Sequence, residues 1–518
     1  MKILLPLRSG RTPNISQSQR LWREWSWLFL ANCVLTTVLQ LGYILGISFE
    51  LHGTARIAFV MAIVSQAGCL NVIPALLTIW PVLCWRSRIA ARLFAGVVFA
   101  VLQTALLADI VTFRLFQRHF NGEVWNLLTT TGVGDSMRVD IFSVLTAGFI
   151  LLLVIGVILA IAFWIAPRLA VWRPRLGLVM LFTVLLVERS TIATIDLWDN
   201  SVVPFVSGTL PLYMPLTIKS VAKKFGYVDS EVFVMPNSVG LLQVPLHPLG
   251  LQSEARKPNI LFIAIEGGRF DVLDEKTMPK LYELSRDSLR LMKHFSTGNE
   301  TRFGIFGLLY GLPGNYWVRA LKQSIPPPWF DLLADQGYEF KIMSCTDLNF
   351  PGFRQTCFLK LAPFITDQWK NTAHVDRDRV MTDSFTNYLA VRANRLAPPQ
   401  PFFSFLFFDA SHQPYEHPPE DNIYESPQSG EINYLKLAAS PAEGRALKNS
   451  YLNSLHYIDR QIGKIVKALK DRDEYDHTII VVVGDHGEEF GEMGHFGHGS
   501  SFNRFQTQTF AVFHLPGG

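Results

Sequence analysis

The chain is 518 residues long, which leaves room for more than one domain. It is 49% hydrophobic and only 17% charged, a balance that argues against a purely soluble protein. The net charge of +4, with no long Lys/Arg block away from the apolar segments, gives no case for a nucleic-acid partner.

The charge deficit is confined to the first two hundred residues. Five apolar stretches there, at 25–48, 57–85, 93–113, 141–166 and 176–197, each supply the roughly 20 residues that a bilayer core requires. A cleaved signal peptide would explain the first stretch but not the four after it. Pro74 and Pro81 predict that the second is kinked or shorter than it looks, and the fifth carries a potential Glu188–Arg189 pair near one end. Basic residues set the orientation. Arg8, Arg11, Arg20 and Arg23 precede the first span, Arg86, Arg88 and Arg92 join the second to the third, and Arg168, Arg173 and Arg175 join the last two. They outweigh Arg114, Arg118 and Arg138 on the other side, so the N-terminus is expected in the cytoplasm and everything after residue 200 outside it. Cys345 and Cys357 then fall in an oxidising compartment, either as a disulfide or as two buried thiols, whereas Cys33, Cys69 and Cys84 read as packing residues of the spans.

Residues 199–258 form a connector. Within it "LPLYMPLTIKSVAKKFGYVD" (210–229) predicts an amphipathic helix beginning after Pro215. Leu216, Val221 and Phe225 are apolar and Lys219, Lys223 and Lys224 are positive, a pattern that suits an interfacial helix contacting anionic lipid. A solvated linker helix is the alternative. From Asn259 onward strands and helices alternate. "NILFIAIE", "YEFKIMS", "PFFSFLFFD" and "TIIVVVGD" are runs expected of strands buried on both faces. "TMPKLYELSRDSL" and "SYLNSLHYIDRQIGKIVKALKD" have helical spacing. The expected fold is therefore a five-helix transmembrane domain (1–198), an interfacial helix and linker (199–258), and an α/β domain with a mainly parallel central sheet (259–518).

In open α/β sheets, ligands bind beyond the carboxyl ends of the strands. Glu266 follows the first strand, Asp409 and His412 follow another, and Asp485 and His486 follow the last. Each alone reads as a turn former or a structural histidine; together they suggest a site. In "STGNETRFGIFGLLYGLP", Thr301 opens a helix, where it is either an N-cap or a nucleophile whose phosphate partner meets the helix N-terminus. Glu266, Thr301, Asp485 and His486 offer three oxygens and one nitrogen, a set suited to one divalent ion, Zn²⁺ or Mn²⁺ more than Ca²⁺ or Mg²⁺. A metal would also activate the weakly nucleophilic threonine hydroxyl.

These residues resemble the alkaline phosphatase superfamily, in particular its membrane-anchored sulfatase-like branch, which includes lipoteichoic acid synthases and phosphoethanolamine transferases. Glu266, Thr301 and Asp485-His486 match that branch's acid, nucleophile and late Asp-His pair in order. By the same resemblance, His412 in "SHQPY" and His498 in "GEMGHFGHG" are implied to contact substrate phosphate, while His495 has no family counterpart and reads as a surface residue. "TRFGI" lacks the Cys or Ser of a C/S-x-P-x-R motif, so true sulfatase chemistry is not expected. Over nearly its whole length the chain is similar to the YejM/PbgA group of inner-membrane proteins. That likeness implies an inner-membrane, periplasm-facing protein whose partners are phospholipid or the lipid A part of lipopolysaccharide. In its sensor form it implies regulation of lipid A synthesis through LapB and FtsH. The resemblance also implies that the sensor members have lost the Asp-His pair, which this chain keeps, and that two consecutive basic residues stand where this chain has Lys219-Ser220. Family members continue beyond "FAVFHLPGG" with a further strand-rich segment. The leading expectation is a metal-dependent phosphoesterase or phospho-headgroup transferase using Thr301; the rival is a non-catalytic lipid sensor.

Overall fold

The computed structural model describes residues 16–44, 53–121, 141–197, 202–225, 242–247, 249–250, 256–394, 400–425, 427, 432, 437 and 441–517. The chain divides into two compact units, Met1–Trp125 with Asp140–Val234, and Asn126–Val139 with Met235–Gly518.

Among the described residues, five long helices build the first unit: α1 (Gln17–Ile44), α2 (Gly53–Cys84), α3 (Arg88–Phe116), α4 (Ile141–Ala160, continued to Leu169 through a π turn) and α5 (Arg175–Ile195). All five contain a span long and apolar enough to cross a membrane. Helix α1 begins at Gln17 because its polar first turns are good helix formers that a hydropathy reading passes over. Helix α2 runs on through both prolines. In an apolar surround polar side chains must find each other: the Thr36 hydroxyl on α1 accepts from Asn71 of α2 (2.7 Å) and Gln103 of α3 (2.8 Å). The expected Glu188–Arg189 pair is present at 3.5 Å, and the Glu188 carboxylate also accepts from the hydroxyls of Ser65 and Tyr213. Two short helices follow, α6 (Val202–Thr209) and α7 (Lys219–Lys224). Leu212, Met214, Leu216, Val221 and Phe225 are exposed around them. The side chains of Lys219 and Lys223 lie outside the described residues, as does the predicted helix beyond Phe225.

Among the described residues of the second unit, seven strands form a sheet in the order β2-β9-β6-β1-β5-β3-β4, with a separate pair β7-β8. The strands are β1 (Asn259–Ile265), β2 (Leu289–Phe295), β3 (Glu339–Ser344), β4 (Ile365–Thr366), β5 (Phe402–Phe408), β6 (Thr478–Gly484), β7 (Glu489–Phe490), β8 (Phe496–Gly497) and β9 (Gln508–His514). Strands β6, β1, β5, β3 and β4 are parallel, whereas β9 runs antiparallel to both β6 and β2. Every residue of β5 is buried, as its unbroken apolar run requires of a central parallel strand. On one face Phe403, Phe405 and Phe407 meet Ile305, Phe306, Leu309 and Trp317, which belong to or follow the helix at Thr301–Tyr310. Cys345 and Cys357 are separate buried thiols, so the disulfide alternative does not hold.

Candidate metal centre

The helices of this unit include α8 (Pro279–Arg286), α9 (Thr301–Tyr310), α10 (Arg377–Ala393) and α11 (Pro441–Lys470). The site itself forms where β1 and β6 end side by side. Ile265 is in register with Gly484, so the next residues, Glu266 and Asp485, emerge together at the carboxyl edge. Their backbones cross closely enough that a Cβ on Gly484 would lie 2.1 Å from the Gly268 carbonyl oxygen. Helix α9 starts on top of this crossing, and a Cβ on Gly304 would lie 2.1 Å from the Asp485 carbonyl oxygen. The glycines therefore let the helix bring its first residue, Thr301, down onto the strand ends. Thr301 does not cap. Its hydroxyl donates to Glu266 Oε2 (3.1 Å) and lies 3.3 Å from His486 Nε2.

Backbone amides aim the rest of the cluster. Asp485 Oδ1 accepts from the amides of Gly267 (3.0 Å) and His486 (2.7 Å), which turns Oδ2 inward. His486 Nδ1 is 2.8 Å from the Gly487 carbonyl oxygen. A carbonyl only accepts, so Nδ1 carries a proton, and in the neutral form of the ring, the one that a metal binds, Nε2 presents the lone pair. That nitrogen lies 3.1 Å from Glu266 Oε1 and 3.5 Å from Asp485 Oδ2. Both oxygens are buried and neither has a hydrogen-bond partner of acceptable geometry. Glu266, Asp485 and His486 can each offer one ligand atom, all within 4.8 Å of one another. Converging lone pairs without donors are what a cation needs, and the residues fit a divalent ion.

The electrostatics agree. Burial alone pushes the His486 imidazole down, but Asp485 and Glu266 beside it override that and raise it to about 10. Burial pushes the Asp485 carboxyl up, and the Glu266 charge adds to this. Burial also works against ionised Glu266, yet the positive charge of His486 and then of His412 and His498 holds its carboxyl below the ordinary range. Two carboxylates thus demand a positive centre, which a proton on His486 supplies when no metal does.

His412 and His498 complete the pocket. Each offers a nitrogen within 4.8 Å of Glu266, and their rings lie 5.8 Å apart. His498 Nδ1 is held by Glu488 Oε2 at 2.6 Å, and Glu488 Oε1 accepts from Tyr415 (2.5 Å) and Gln413 (3.2 Å). All six residues predicted as metal or catalytic groups are therefore gathered in one place. Glu488, Tyr415 and Gln413 were not predicted, although Glu488 stands two residues after His486 and Tyr415 three after His412. His495 is buried, not a surface residue, and its amide donates to Glu489 Oε1 (3.0 Å).

Arg269, fully buried, braces the loop that carries Glu488. It donates to the Glu488 carbonyl (2.9 Å), to Glu492 (2.7 Å) and, as a fork, to Asp271 (2.8 and 2.7 Å). Burial raises the Glu492 carboxyl, but Arg269 outweighs this and brings it to about 2. The folded value lies below the unfolded one of about 4.3. The pair's contribution is therefore complete above that pH and lost as pH falls toward 2. Glu492→Gln is expected to flatten the Tm–pH curve across that window; parallel curves for variant and wild type would count against the brace.

An open, mainly parallel sheet with an acid, a helix-borne hydroxyl and an Asp-His pair at its carboxyl edge defines the alkaline phosphatase class of fold. The model of the Sulfatase family matches residues 258–517, half of the sequence, and the chain belongs to that family. Residues 12–238 match a domain of unknown function (DUF3413). The chain is 24% identical over 481 residues to inner membrane protein YejM of Salmonella typhimurium, covering 90% of this chain and 74% of that protein. It is 30% identical over 261 residues to lipoteichoic acid synthase of Staphylococcus saprophyticus, covering 45% of this chain and 36% of that protein. The structure of the lipooligosaccharide phosphoethanolamine transferase EptA of Neisseria meningitidis shares the fold, with a TM-score of 0.54, 15% identity, and coverage of 95% of this chain and 88% of that one.

Proposed function

We propose that this protein is an inner-membrane, metal-dependent phosphoesterase or phospho-headgroup transferase acting on phospholipid or lipopolysaccharide headgroups from the periplasmic side. The observation that carries the reading is the convergence of Glu266 Oε1 and Asp485 Oδ2, buried and without a hydrogen-bond partner, on His486 Nε2 beside the Thr301 hydroxyl. Glu266, Thr301, Asp485 and His486 would hold a single Zn²⁺ or Mn²⁺, which supplies Lewis acidity and lowers the pKa of a bound hydroxyl. Thr301 sits at the start of α9, where the helix dipole favours an approaching phosphate. Its oxygen attacks phosphorus while its proton leaves toward Glu266 Oε2, the acceptor it already faces. The bond from phosphorus to the headgroup oxygen breaks, and His498 or His412 delivers a proton to that oxygen. Water or an acceptor hydroxyl then releases the phosphoryl group from Thr301. Glu488 holds the Nδ1–H of His498 and so turns Nε2, which carries the transferable proton in the imidazolium form, toward the substrate.

The exposed apolar run Leu212, Met214, Leu216, Val221 and Phe225 favours a second role, lipid recognition at the membrane surface by α7 and its Lys219, Lys223 and Lys224. Regulation through LapB would be the sensing form of that role, and it is compatible with catalysis. The test is metal analysis of the purified full chain, with turnover of a generic phosphodiester and phosphomonoester before and after chelation. Near-stoichiometric Zn or Mn and a chelator-sensitive, metal-restored rate are expected. Metal-free protein, or a rate indifferent to chelation, would overturn the catalytic reading.

A further inference from the structure

The turn that carries His412 is held from outside the site by the segment leading into α10. Asp378, fully buried in the first turn of α10, accepts from the amides of Asp409 (3.2 Å) and Ala410 (3.1 Å) at the start of the turn. Four residues earlier, His374 reaches both ends of it. Its Nε2 lies 3.5 Å from Asp409 Oδ2 and its Nδ1 lies 3.3 Å from Glu416 Oε2. His412 sits between those ends, and the short bonds it makes are local: its amide to the Asp409 carbonyl (2.9 Å) and its Nδ1 to the Gln413 carbonyl (3.0 Å). Tyr415, at the far end, is in left-handed backbone (φ 65°), which only a well-held turn imposes on a bulky residue. Ser411, whose hydroxyl donates to the Glu266 carbonyl, and Gln413 and Tyr415, which donate to Glu488, hold the middle of the turn from the site side, so Asp409 and Glu416 are its holds on the outer side.

We infer that His374 is a positioning residue, an imidazolium clamp that ties Asp409 to Glu416 and thereby sets His412 against the phosphate. The inference rests on the phosphate-site reading above and adds to it a residue that the site motifs do not contain. Contact with Asp409 and then Glu416 raises His374 to about 10 despite burial, so the clamp is charged at neutral pH. Both its nitrogens are engaged by different carboxylates, which excludes the two-carboxylate, one-nitrogen geometry of a metal site. About a third of the His374 side chain is exposed, so its replacement leaves the core intact.

A double-mutant cycle on the full chain tests this. His374→Gln is expected to lower kcat/KM on the generic phosphodiester about ten- to a hundredfold, as a displaced catalytic group does, with metal content unchanged. In a His412→Ala background the same change should cost less than about twofold, because there is no ring left to position. Glu416→Gln, which opens one arm of the clamp, should fall in the same direction by less. Equal losses with and without His412, or no loss in either, would overturn the clamp and leave the phosphate site standing. The same cycle read by orthovanadate affinity covers a protein whose turnover is too slow to follow. A wild-type chain that neither turns over nor binds vanadate would remove the phosphate-site reading and the clamp together.

Discussion

Thr301→Ala is expected to lower kcat by at least about 10³-fold, while Thr301→Ser keeps most of the rate. The hydroxyl is the one feature that the two variants separate. In the folded chain it is directed at Glu266 Oε2 and His486 Nε2, not at the helix amides, so its loss removes the proposed attacking oxygen without uncapping α9. The helix itself is held by Ile305, Phe306 and Leu309 in the core, and neither variant touches these. Far-UV circular dichroism and Tm should accordingly stay close to wild type. Acid quenching during turnover, followed by peptide mass spectrometry, should trap a phosphorylated adduct on Thr301 in the wild-type chain and none in the alanine variant. An alanine variant that turns over like wild type would move the chemistry elsewhere.

How much of this was legible in the sequence depends on whether a residue sits at the end of a buried strand. Glu266 and Asp485-His486 follow unbroken apolar runs, and parallel strands of that kind align their ends; the pairing of Ile265 with Gly484 is the outcome. Thr301 was ambiguous between cap and nucleophile, since both open a helix, and only the close approach permitted by Gly304 brings it onto the strands. Glu488 stood inside the motif and still went unread, because an acid in "DHGEE" looks like a solvated turn until His498 and Tyr415 fold back onto it. His374 and Asp378 had no signal. They act across more than thirty residues, through contacts that no periodicity records. Strand β2 carries no such signal, in contrast to β5, which its unbroken apolar run predicts: β2 lies at the sheet edge, mostly exposed, and "LRLMKHF" has no such run. His495 looked like surface because it lies in a polar, glycine-rich loop; Glu489 draws that loop inward.

Asp485→Asn is expected to have opposite effects on the metal-free and metal-loaded protein. Without metal, Glu266 and Asp485 are two buried carboxylates facing one imidazole, and burial together with the Glu266 charge raises the Asp485 carboxyl. Removing one negative charge relieves that repulsion, so the metal-free variant should melt higher than the metal-free wild type. The asparagine can still accept from Gly267 and His486 through its carbonyl, as Oδ1 does now, so the strand crossing survives. Its amide, however, now points where Oδ2 did, placing donor hydrogens against the cation. Binding linked to folding adds about 4.1 kcal/mol to a protein held at a thousand times its dissociation constant. Wild type should therefore gain a large rise in Tm on adding Mn²⁺ or Zn²⁺, and the variant close to none. A matching Glu266→Gln variant should likewise lose the metal-induced rise, but its metal-free form should melt no higher than wild type, because His486 holds the Glu266 carboxyl below the ordinary range and so favours its charge. Equal metal-induced shifts in all three proteins would place the ion away from these carboxylates. A metal-free Asp485→Asn protein less stable than metal-free wild type would mean that the carboxylate serves the fold through its two amide bonds more than it costs through charge.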